Sequence, residues 1–253
     1  MNNIPGSSLL INRTILVTGA SDGIGREAAI TYARQGARVI LTGRNPQKLQ
    51  QVRQTIDALQ QQPASVLVLD LATATADDYQ QFAREVATIT PTLEGLLHNA
   101  GILGTLQPMA EISTEEWHQV LKINLDASFF LTRALLPLLL NASHASLVFT
   151  SSSVGRQGRA GWGTYSVSKF ATEGMMQVLA NEYKDSGLRV NCINPGGTRT
   201  TMRASAFPQE NASLLKTPAD IMPIYLHVMS DASIGQTGIS FDAQPGRKAG
   251  PAS

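Results

Sequence analysis

Seven short runs rich in branched aliphatic residues alternate with longer segments of helical pattern, and this alternation constrains the fold more than any other feature of the chain. The runs are TILVTG, ARVILTG, SVLVLDL, GLLHNAG, ASLVFTS, LRVNCINP and GISFDA, and residues 23–35 and 165–184 are among the helical segments between them. Apolar strands separated by helices are typical of a mostly parallel sheet that is covered on both faces. The sequence therefore predicts a doubly wound α/β fold with a seven-stranded sheet flanked by helices.

Nothing in the sequence divides the chain or points to a highly charged partner. The 253 residues contain no linker, repeat or low-complexity block, so one domain spanning residues 1–253 is predicted. Twenty Lys and Arg residues against 19 Asp and Glu leave a net charge of +1, which argues against nucleic acid or an anionic membrane as a partner. A small molecule is the predicted partner.

The compartment is predicted from three features. The N-terminal residues MNNIPGSSLLINRT lack the charged start and apolar stretch of a signal peptide. The most apolar segment, FFLTRALLPLLL, is interrupted by Arg133 and Pro137 and is shorter than the ~20 residues that a membrane span needs. The single cysteine, Cys192, has no partner in the chain and is expected to be a buried structural residue in a reducing environment. A cytoplasmic protein is therefore expected.

A glycine-rich loop follows the first predicted strand. In ILVTGASDGIGREAA, Gly19, Gly23 and Gly25 lie between a strand and a helix. Glycine lets backbone N–H groups approach a pyrophosphate, and the helix N-terminus favours its negative charge. The alternative is a glycine-rich turn without a ligand, but both the strand and the helix that the motif requires are predicted here. The loop therefore indicates a nucleotide-binding domain of the Rossmann type.

Several segments together resemble the short-chain dehydrogenases/reductases, over nearly the whole chain. They are the T-G-x(3)-G-x-G loop, LDL, HNAG, YSVSK and NPGGTRT. His98 stands where that family usually has an asparagine and is expected to be structural. The resemblance implies a single-domain nicotinamide-dependent enzyme that binds its cofactor through Gly19, Ser21, Asp22, Gly23, Ile24, Gly25, Asp70, Leu71, Asn99, Ala100, Gly101, Tyr165, Lys169, Pro195, Gly196, Thr198 and Thr200.

The end of the second predicted strand indicates which nicotinamide cofactor is preferred. An acidic residue there would accept hydrogen bonds from the ribose 2′-hydroxyl, whereas an arginine suits the 2′-phosphate. In VILTGRN there is no acid, and Gly43 is followed by Arg44. NADP(H) is the predicted cofactor. A solvated cation is the alternative reading of Arg44, and Arg26 is a weaker second candidate for the phosphate.

The same resemblance implies a catalytic group of four residues. Tyr165 and Lys169 lie at positions i and i+4, on one face of a predicted helix. Alone they are a chance-level pair, but Ser152, thirteen residues earlier, and Asn124 match the family's serine and asparagine. A phenol can protonate a developing alkoxide, and Lys169 is expected to lower its pKa. Ser152 is expected to donate a hydrogen bond to the substrate oxygen.

Asn124 also attracts attention without the resemblance. Its helix carries a predicted inward stripe, and an amide on such a stripe needs a hydrogen-bond partner. Ordering a water beside Lys169 is one way to satisfy it, and a core asparagine bonded to the protein is the alternative. The predicted stripe comprises Trp117, Val120, Leu121, Leu125 and Leu131.

Substrate contacts are expected from VGRQGRAGWG before Tyr165 and from a loop at about 200–216. Trp162 either lines the pocket or packs in the core. Four arginines suggest an acidic substrate, although surface positions or a subunit interface explain them equally; they are Arg156, Arg159, Arg199 and Arg203.

The predicted function is that of an NADP(H)-dependent oxidoreductase acting on a carbonyl or secondary alcohol. The alternative is a catalytically silent NADP(H)-binding redox sensor. No metal site is expected. The resemblance also implies a homodimer or homotetramer formed through the helices that contain Asn124 and Tyr165.

Overall fold

A seven-stranded parallel sheet forms the centre of the computed structural model, which describes residues 8–247 and 250. The strand order is β3-β2-β1-β4-β5-β6-β7, and each neighbouring pair is parallel. Every predicted run contains one strand, so the prediction of a seven-stranded α/β fold is confirmed. The strands are β1 (Thr14–Thr18), β2 (Arg38–Gly43), β3 (Ser65–Val68), β4 (Gly95–His98), β5 (Ala145–Thr150), β6 (Leu188–Asn194) and β7 (Ser240–Asp242).

Helices cover both faces of the sheet, which explains why the central strands are apolar throughout. On one face Tyr32, Val52 and Tyr225 belong to a buried cluster, and on the other Phe82 and Met176 belong to a second. The helices are α1 (Gly23–Arg34), α2 (Pro46–Asp57), α3 (Ala76–Ile89), α4 (Thr114–Leu121), α5 (Ala127–Leu140), α6 (Gly163–Glu182), α7 (Thr201–Ala206) and α8 (Met222–Met229).

The strand order places a cleft at the carboxyl ends of the strands. β1 lies between β2 and β4, so the connections leave it in opposite directions along the sheet. At such a reversal the loops separate, and ligands of open α/β sheets bind there. The prediction of one domain over residues 1–253, and the N-terminal segment considered for a signal peptide, include residues outside the described ranges.

A turn of π-helix, Lys122–Asp126, joins α4 to α5. The wider turn shifts which side chains face inward: Ile123, Asn124 and Ala127 are buried, whereas Leu121 and Leu125 are only partly so. Of the predicted inward stripe, Val120 and Leu131 are thus buried, whereas Trp117, Leu121 and Leu125 are only partly buried.

The helical stretch Thr114–Leu140 is long and apolar enough, by length and composition alone, to cross a membrane. Half of its most apolar window is buried inside the fold. Pro137 does not end the helix, since α5 continues through it, and the Arg133 guanidinium lies 5.2 Å from the centre of the Phe130 ring. The absence of a membrane partner stays a prediction.

Candidate active site

The glycine loop between β1 and α1 is closely packed against the loop after β4. A Cβ atom at Gly25 would lie 2.4 Å from the Gly19 carbonyl oxygen and 2.5 Å from Asn99 Nδ2, so no side chain fits there. Thr18 Oγ1 accepts hydrogen bonds from the backbone N–H groups of Asn99 and Ala100, both at 3.0 Å. The result is a backbone cradle at the N-terminus of α1, open on its outer side to the cleft.

A cavity of about 570 Å³ extends along the carboxyl ends of the strands from this cradle to the start of α6. Nearly all the predicted site residues line it. The two exceptions are Gly25, which packs under the loop, and Asn124, which is buried behind the wall. Those that line it are Gly19, Ser21, Asp22, Gly23, Ile24, Arg44, Asp70, Leu71, Asn99, Ala100, Gly101, Ser152, Tyr165, Lys169, Pro195, Gly196, Thr198 and Thr200.

Two cationic side chains line the end of the cavity beyond β2. Arg44 is exposed there, and Lys48, in the first turn of α2, lines the same end. Asn45 Oδ1 caps α2 by accepting the Lys48 N–H at 2.9 Å. Arg26 is exposed and does not line the cavity, which argues against Arg26 as the residue that binds the 2′-phosphate. The sequence analysis did not identify Lys48. Its position three residues after Asn45, the helix cap that follows Arg44, is a signal that could have indicated a second cation at this end of the cavity.

Several predicted cofactor contacts already have hydrogen bonds within the protein. Asp22 Oδ1 caps α1 by accepting the Gly23 N–H at 2.7 Å, and Asp70 Oδ1 accepts the Ala72 N–H at 3.0 Å. The Thr198 hydroxyl is buried and donates to the Pro195 carbonyl at 3.1 Å. Thr200 Oγ1 caps α7. These side chains shape the loops, and their contacts with a cofactor stay predictions.

Tyr165, Lys169 and Ser152 come together at the other end of the cavity. Tyr165 and Lys169 lie in the first two turns of α6 and are 9% and 5% exposed. Lys169 Nζ donates to the Thr150 carbonyl at 2.7 Å and lies 5.5 Å from the centre of the Tyr165 ring. Ser152 lies two residues beyond the end of β5 and lines the same end of the cavity as Tyr165.

Burial dominates the titration of both groups on α6. It raises the pKa of Tyr165 to about 12, and the nearby Ser152 hydroxyl offsets only part of that rise. It lowers the pKa of Lys169 to about 8, against the opposing effects of Cys192 and Glu173. The pKa of Tyr165 is therefore raised in this structure and not lowered as expected, because burial of the phenol outweighs any effect of the Lys169 charge. The phenol loses its hydration, while the ammonium group is hydrogen-bonded to Thr150.

The side chain of Asn124 is fully hydrogen-bonded to protein groups. Its Oδ1 accepts the Ile102 N–H at 2.8 Å, and its Nδ2 donates to the Ile102 carbonyl at 2.9 Å and to Ser168 Oγ at 3.1 Å. A Cβ atom at Gly101 would lie 3.2 Å from Asn124 Oδ1 and 3.9 Å from Lys169 Nζ. The Asn124 amide thus holds the loop after β4 beside Lys169. Its hydrogen bonds are those of a core asparagine bonded to protein groups, which was the alternative to ordering a water beside Lys169.

A buried carboxylate, Glu173, ties the elements behind the site together. Its Oε1 accepts hydrogen bonds from Ser151 Oγ at 2.5 Å and from Ser240 Oγ at 2.7 Å. Arg156 donates to the same oxygen at 3.5 Å and to Asp242 at 3.0 Å. The segment before Ser152, helix α6 and strand β7 are thereby joined. Sequence reasoning missed Glu173, although its position one turn after Lys169 was a signal.

His98 and Cys192 are structural, as expected. His98 Nε2 lies 2.8 Å from Thr132 Oγ1, its ring stacks on Phe149, and burial lowers its pKa to about 3. Cys192 is fully buried, and burial raises the pKa of its thiol. Within residues 8–247 and 250, no three His, Cys, Asp or Glu side chains are grouped so that they could hold a metal ion.

The lowered pKa of Lys169 predicts a pH dependence of stability. The pKa is about 8 in the folded chain and 10.5 ordinarily, so the unfolded state binds more protons between these values and the free energy of unfolding rises with pH there. In Lys169→Met this titration is absent. We expect the stability of the native chain, relative to the variant, to increase by up to about 3 kcal/mol across the window, at about 1.4 kcal/mol per pKa unit.

Urea unfolding of both proteins from pH 7 to pH 11 measures this difference. Lys184→Met, at an exposed position after the same helix, is the matched control and should track the native chain at every pH. A constant difference between the native chain and Lys169→Met would show that Lys169 keeps its ordinary pKa.

Comparison with known proteins assigns the family. The family model for short chain dehydrogenase matches residues 13–211. The uncharacterized oxidoreductase YciK of Escherichia coli (strain K12) is 61% identical over 250 residues, which cover 99% of each chain. A short chain dehydrogenase structure from Escherichia coli CFT073, complexed with NADPH, is 62% identical, with a TM-score of 0.92 over 95% of this chain and 100% of that one.

A second solved structure agrees with the first. It is a short chain dehydrogenase from Shigella flexneri 2a str. 301, complexed with NADP. It is 61% identical, with a TM-score of 0.93, and the match covers 95% of this chain and all of that one. These likenesses agree with the observed sheet, the glycine cradle and the pair formed by Tyr165 and Lys169. The chain belongs to the short chain dehydrogenase family of oxidoreductases.

Proposed function

We propose that the protein is an NADP(H)-dependent oxidoreductase that interconverts a carbonyl compound and a secondary alcohol, with Tyr165 as acid and base. One observation carries the proposal. Tyr165 is buried beside Ser152 and Lys169 at one end of a cavity whose other end is a glycine cradle flanked by Arg44.

The residues that are present fit NADP(H). The cradle, which a Cβ at Gly25 would fill, suits a pyrophosphate, and Arg44 with Lys48 suits the 2′-phosphate. Lys169 is placed to hold the ribose next to the nicotinamide. When bound, the nicotinamide supplies or accepts a hydride. The complexes of the Escherichia coli CFT073 and Shigella flexneri proteins with NADPH and NADP support this cofactor.

The residues of the chain then manage the proton and the substrate oxygen. Ser152 donates a hydrogen bond to the carbonyl oxygen, on which negative charge develops. Since the pKa of Tyr165 is raised to about 12, the phenol keeps its proton near neutral pH and can donate it to the alkoxide. The Lys169 ammonium, next to the ring, stabilises the tyrosinate that remains.

The proposal is tested by turnover of a broad panel of ketones, diketones and quinones, followed by the absorbance of NADPH. We expect several of these compounds to be reduced. The redox sensor remains the alternative, although binding alone does not require Ser152, Tyr165 and Lys169 together. Tight NADPH binding without reduction of any compound would favour the sensor and contradict the enzyme.

We also propose that the protein forms a homo-oligomer in the cytoplasm and has neither nucleic acid nor a membrane as a partner. Large apolar side chains are exposed on α5 and α6, the helices expected at the interface, and exposed apolar groups of this kind mark association sites. Sedimentation equilibrium tests this, and a monomer at micromolar concentration would refute it. The side chains are Phe129, Leu140, Val167, Phe170 and Val178.

A further inference from the structure

The part of the cavity beside Tyr165 has apolar walls. Ile102, Leu103, Met202 and Ala206 line it together with Trp162. The Trp162 ring is held from two sides, since its centre lies 5.9 Å from the Tyr165 ring and 5.9 Å from the Phe207 ring. A fixed indole wall favours a flat apolar group, and an unbranched methionine adapts to its outline.

Arg203 also lines this end, but its charge is already neutralised inside the protein. Its Nε and Nη2 atoms donate to the two carboxylate oxygens of Glu210, at 2.6 and 2.7 Å. Nη2 also donates to the Gly250 carbonyl, and the guanidinium lies 4.1 Å from the centre of the Phe207 ring. The Glu210 side chain is only 2% exposed. An anion that recruited Arg203 would therefore compete with this buried carboxylate, which also lies 3.9 Å from Arg247 Nη2.

The other three loop arginines do not line the cavity. Arg199 donates to the carbonyls of Ala212 and Leu215, at 2.8 and 3.4 Å, and Arg156 is paired with Asp242. Arg159 lies outside the described lining residues as well. Apart from Arg203, the cation at this end is Lys169, which is bonded to Thr150 and needed beside Tyr165. The arginines that suggested an acidic substrate thus have structural partners or lie elsewhere.

From these contacts we infer that the substrate is an uncharged ketone or aldehyde carrying an apolar, ring-sized group, and that a carboxylate or phosphate on that group weakens binding. The apolar part gains contact with Trp162 and Met202, whereas an anion would lose its hydration without gaining a partner. The inference rests on the proposed function, because it concerns the substrate end of the same site.

A matched pair of ketones tests the inference by binding. The probes are 2-acetylnaphthalene and its carboxylated analogue, 6-acetyl-2-naphthoic acid, titrated by calorimetry into Tyr165→Phe saturated with NADPH, so that turnover is suppressed. We expect the neutral ketone to bind about tenfold more tightly or better, since the carboxylate lacks a partner. Equal or tighter binding of the carboxylated probe would overturn the inference, and so would no binding of either probe.

Turnover of the same pair by the native protein separates this inference from the proposed function. If the neutral ketone binds more tightly but no carbonyl compound is reduced, the proposed function is contradicted and the inferred preference of the pocket for an uncharged apolar group is supported. If carbonyl compounds are reduced and the carboxylated ketone is preferred, the proposed function is supported and the inferred preference for an uncharged substrate is wrong.

Two further variants test which side chains make the pocket prefer the neutral probe. Trp162→Ala should weaken the neutral probe about tenfold with NADPH affinity unchanged, because the aromatic wall is lost, whereas Trp117→Ala, outside the cavity, should not. Arg203→Met should leave the carboxylated probe no weaker than before, since Arg203 is committed to Glu210. Weaker binding of that probe to Arg203→Met would show that anions use Arg203, and the inference would be wrong.

Discussion

The Tyr165→Phe variant is expected to lose about 10²- to 10⁴-fold in kcat, the usual effect of removing a positioned acid or base, while it binds NADPH as the native protein does. The ring of Tyr165 packs against Trp162, and phenylalanine keeps that packing. Only the hydroxyl is lost, and with it the proton that the alkoxide needs. Steady-state kinetics on a ketone reduced by the native protein, with a fluorescence titration of NADPH, measures both quantities.

Tyr183→Phe provides the control for this experiment. Tyr183 directly follows the same helix, far from the cavity, so its loss of a hydroxyl should leave kcat within a factor of about two, as is usual for a substitution away from special features. If Tyr165→Phe retained native turnover, Tyr165 could not be the acid. If it lost NADPH binding instead, its role would be to hold the cofactor.

The second large effect is expected for Arg44→Asp. A charge-assisted hydrogen bond to the 2′-phosphate contributes about 1.5 to 3 kcal/mol, and the new carboxylate would repel that phosphate while it accepts hydrogen bonds from the 2′-hydroxyl of NADH. We therefore expect the affinity for NADPH to fall about 10- to 100-fold and the affinity for NADH to rise. Fluorescence titrations with both cofactors give the ratio.

Arg26→Asp carries the same change of charge on the helix that follows the glycine loop. Arg26 is exposed and outside the cavity lining, so its replacement should change NADPH affinity by less than about threefold at physiological salt. An unchanged preference in Arg44→Asp would assign the 2′-phosphate elsewhere. Lys48, which lines the same end of the cavity, would then be the next residue to replace.

The strands and the glycine loop were predictable because their signals are local. A continuous run of branched aliphatic residues such as ILV at 15–17 specifies a buried strand wherever it lies in the sheet. Gly25 has no side chain because the Gly19 carbonyl occupies the space where one would be, and a glycine pattern between a strand and a helix reports such closeness directly. Ser152, Tyr165 and Lys169 were found through their spacing and the family resemblance.

The positions of charges and the register of α4 and α5 were not predictable in this way. Arg203 reads as a free cation in the sequence, because nothing local shows that Glu210 folds back onto it. The π-helical turn at Lys122–Asp126 interrupts the α-helical spacing, and the side-chain amide of Asn124 bonds to Ile102, 22 residues away. The raised pKa of Tyr165 follows from burial, which depends on every element that surrounds the phenol.

The sequence by itself thus determined the sheet, the nucleotide cradle and the absence of an acid beside Arg44, since each of these depends on residues close together in the chain. The Ser152, Tyr165 and Lys169 group followed from the family resemblance. Only the tertiary structure decided which loop arginines line the cavity, what satisfies Asn124, and that Glu173 joins the segment before Ser152 to α6 and β7. The physical reason is that hydrogen bonds, ion pairs and burial join residues from distant parts of the chain. Their partners are specified by packing and cannot be inferred from local pattern.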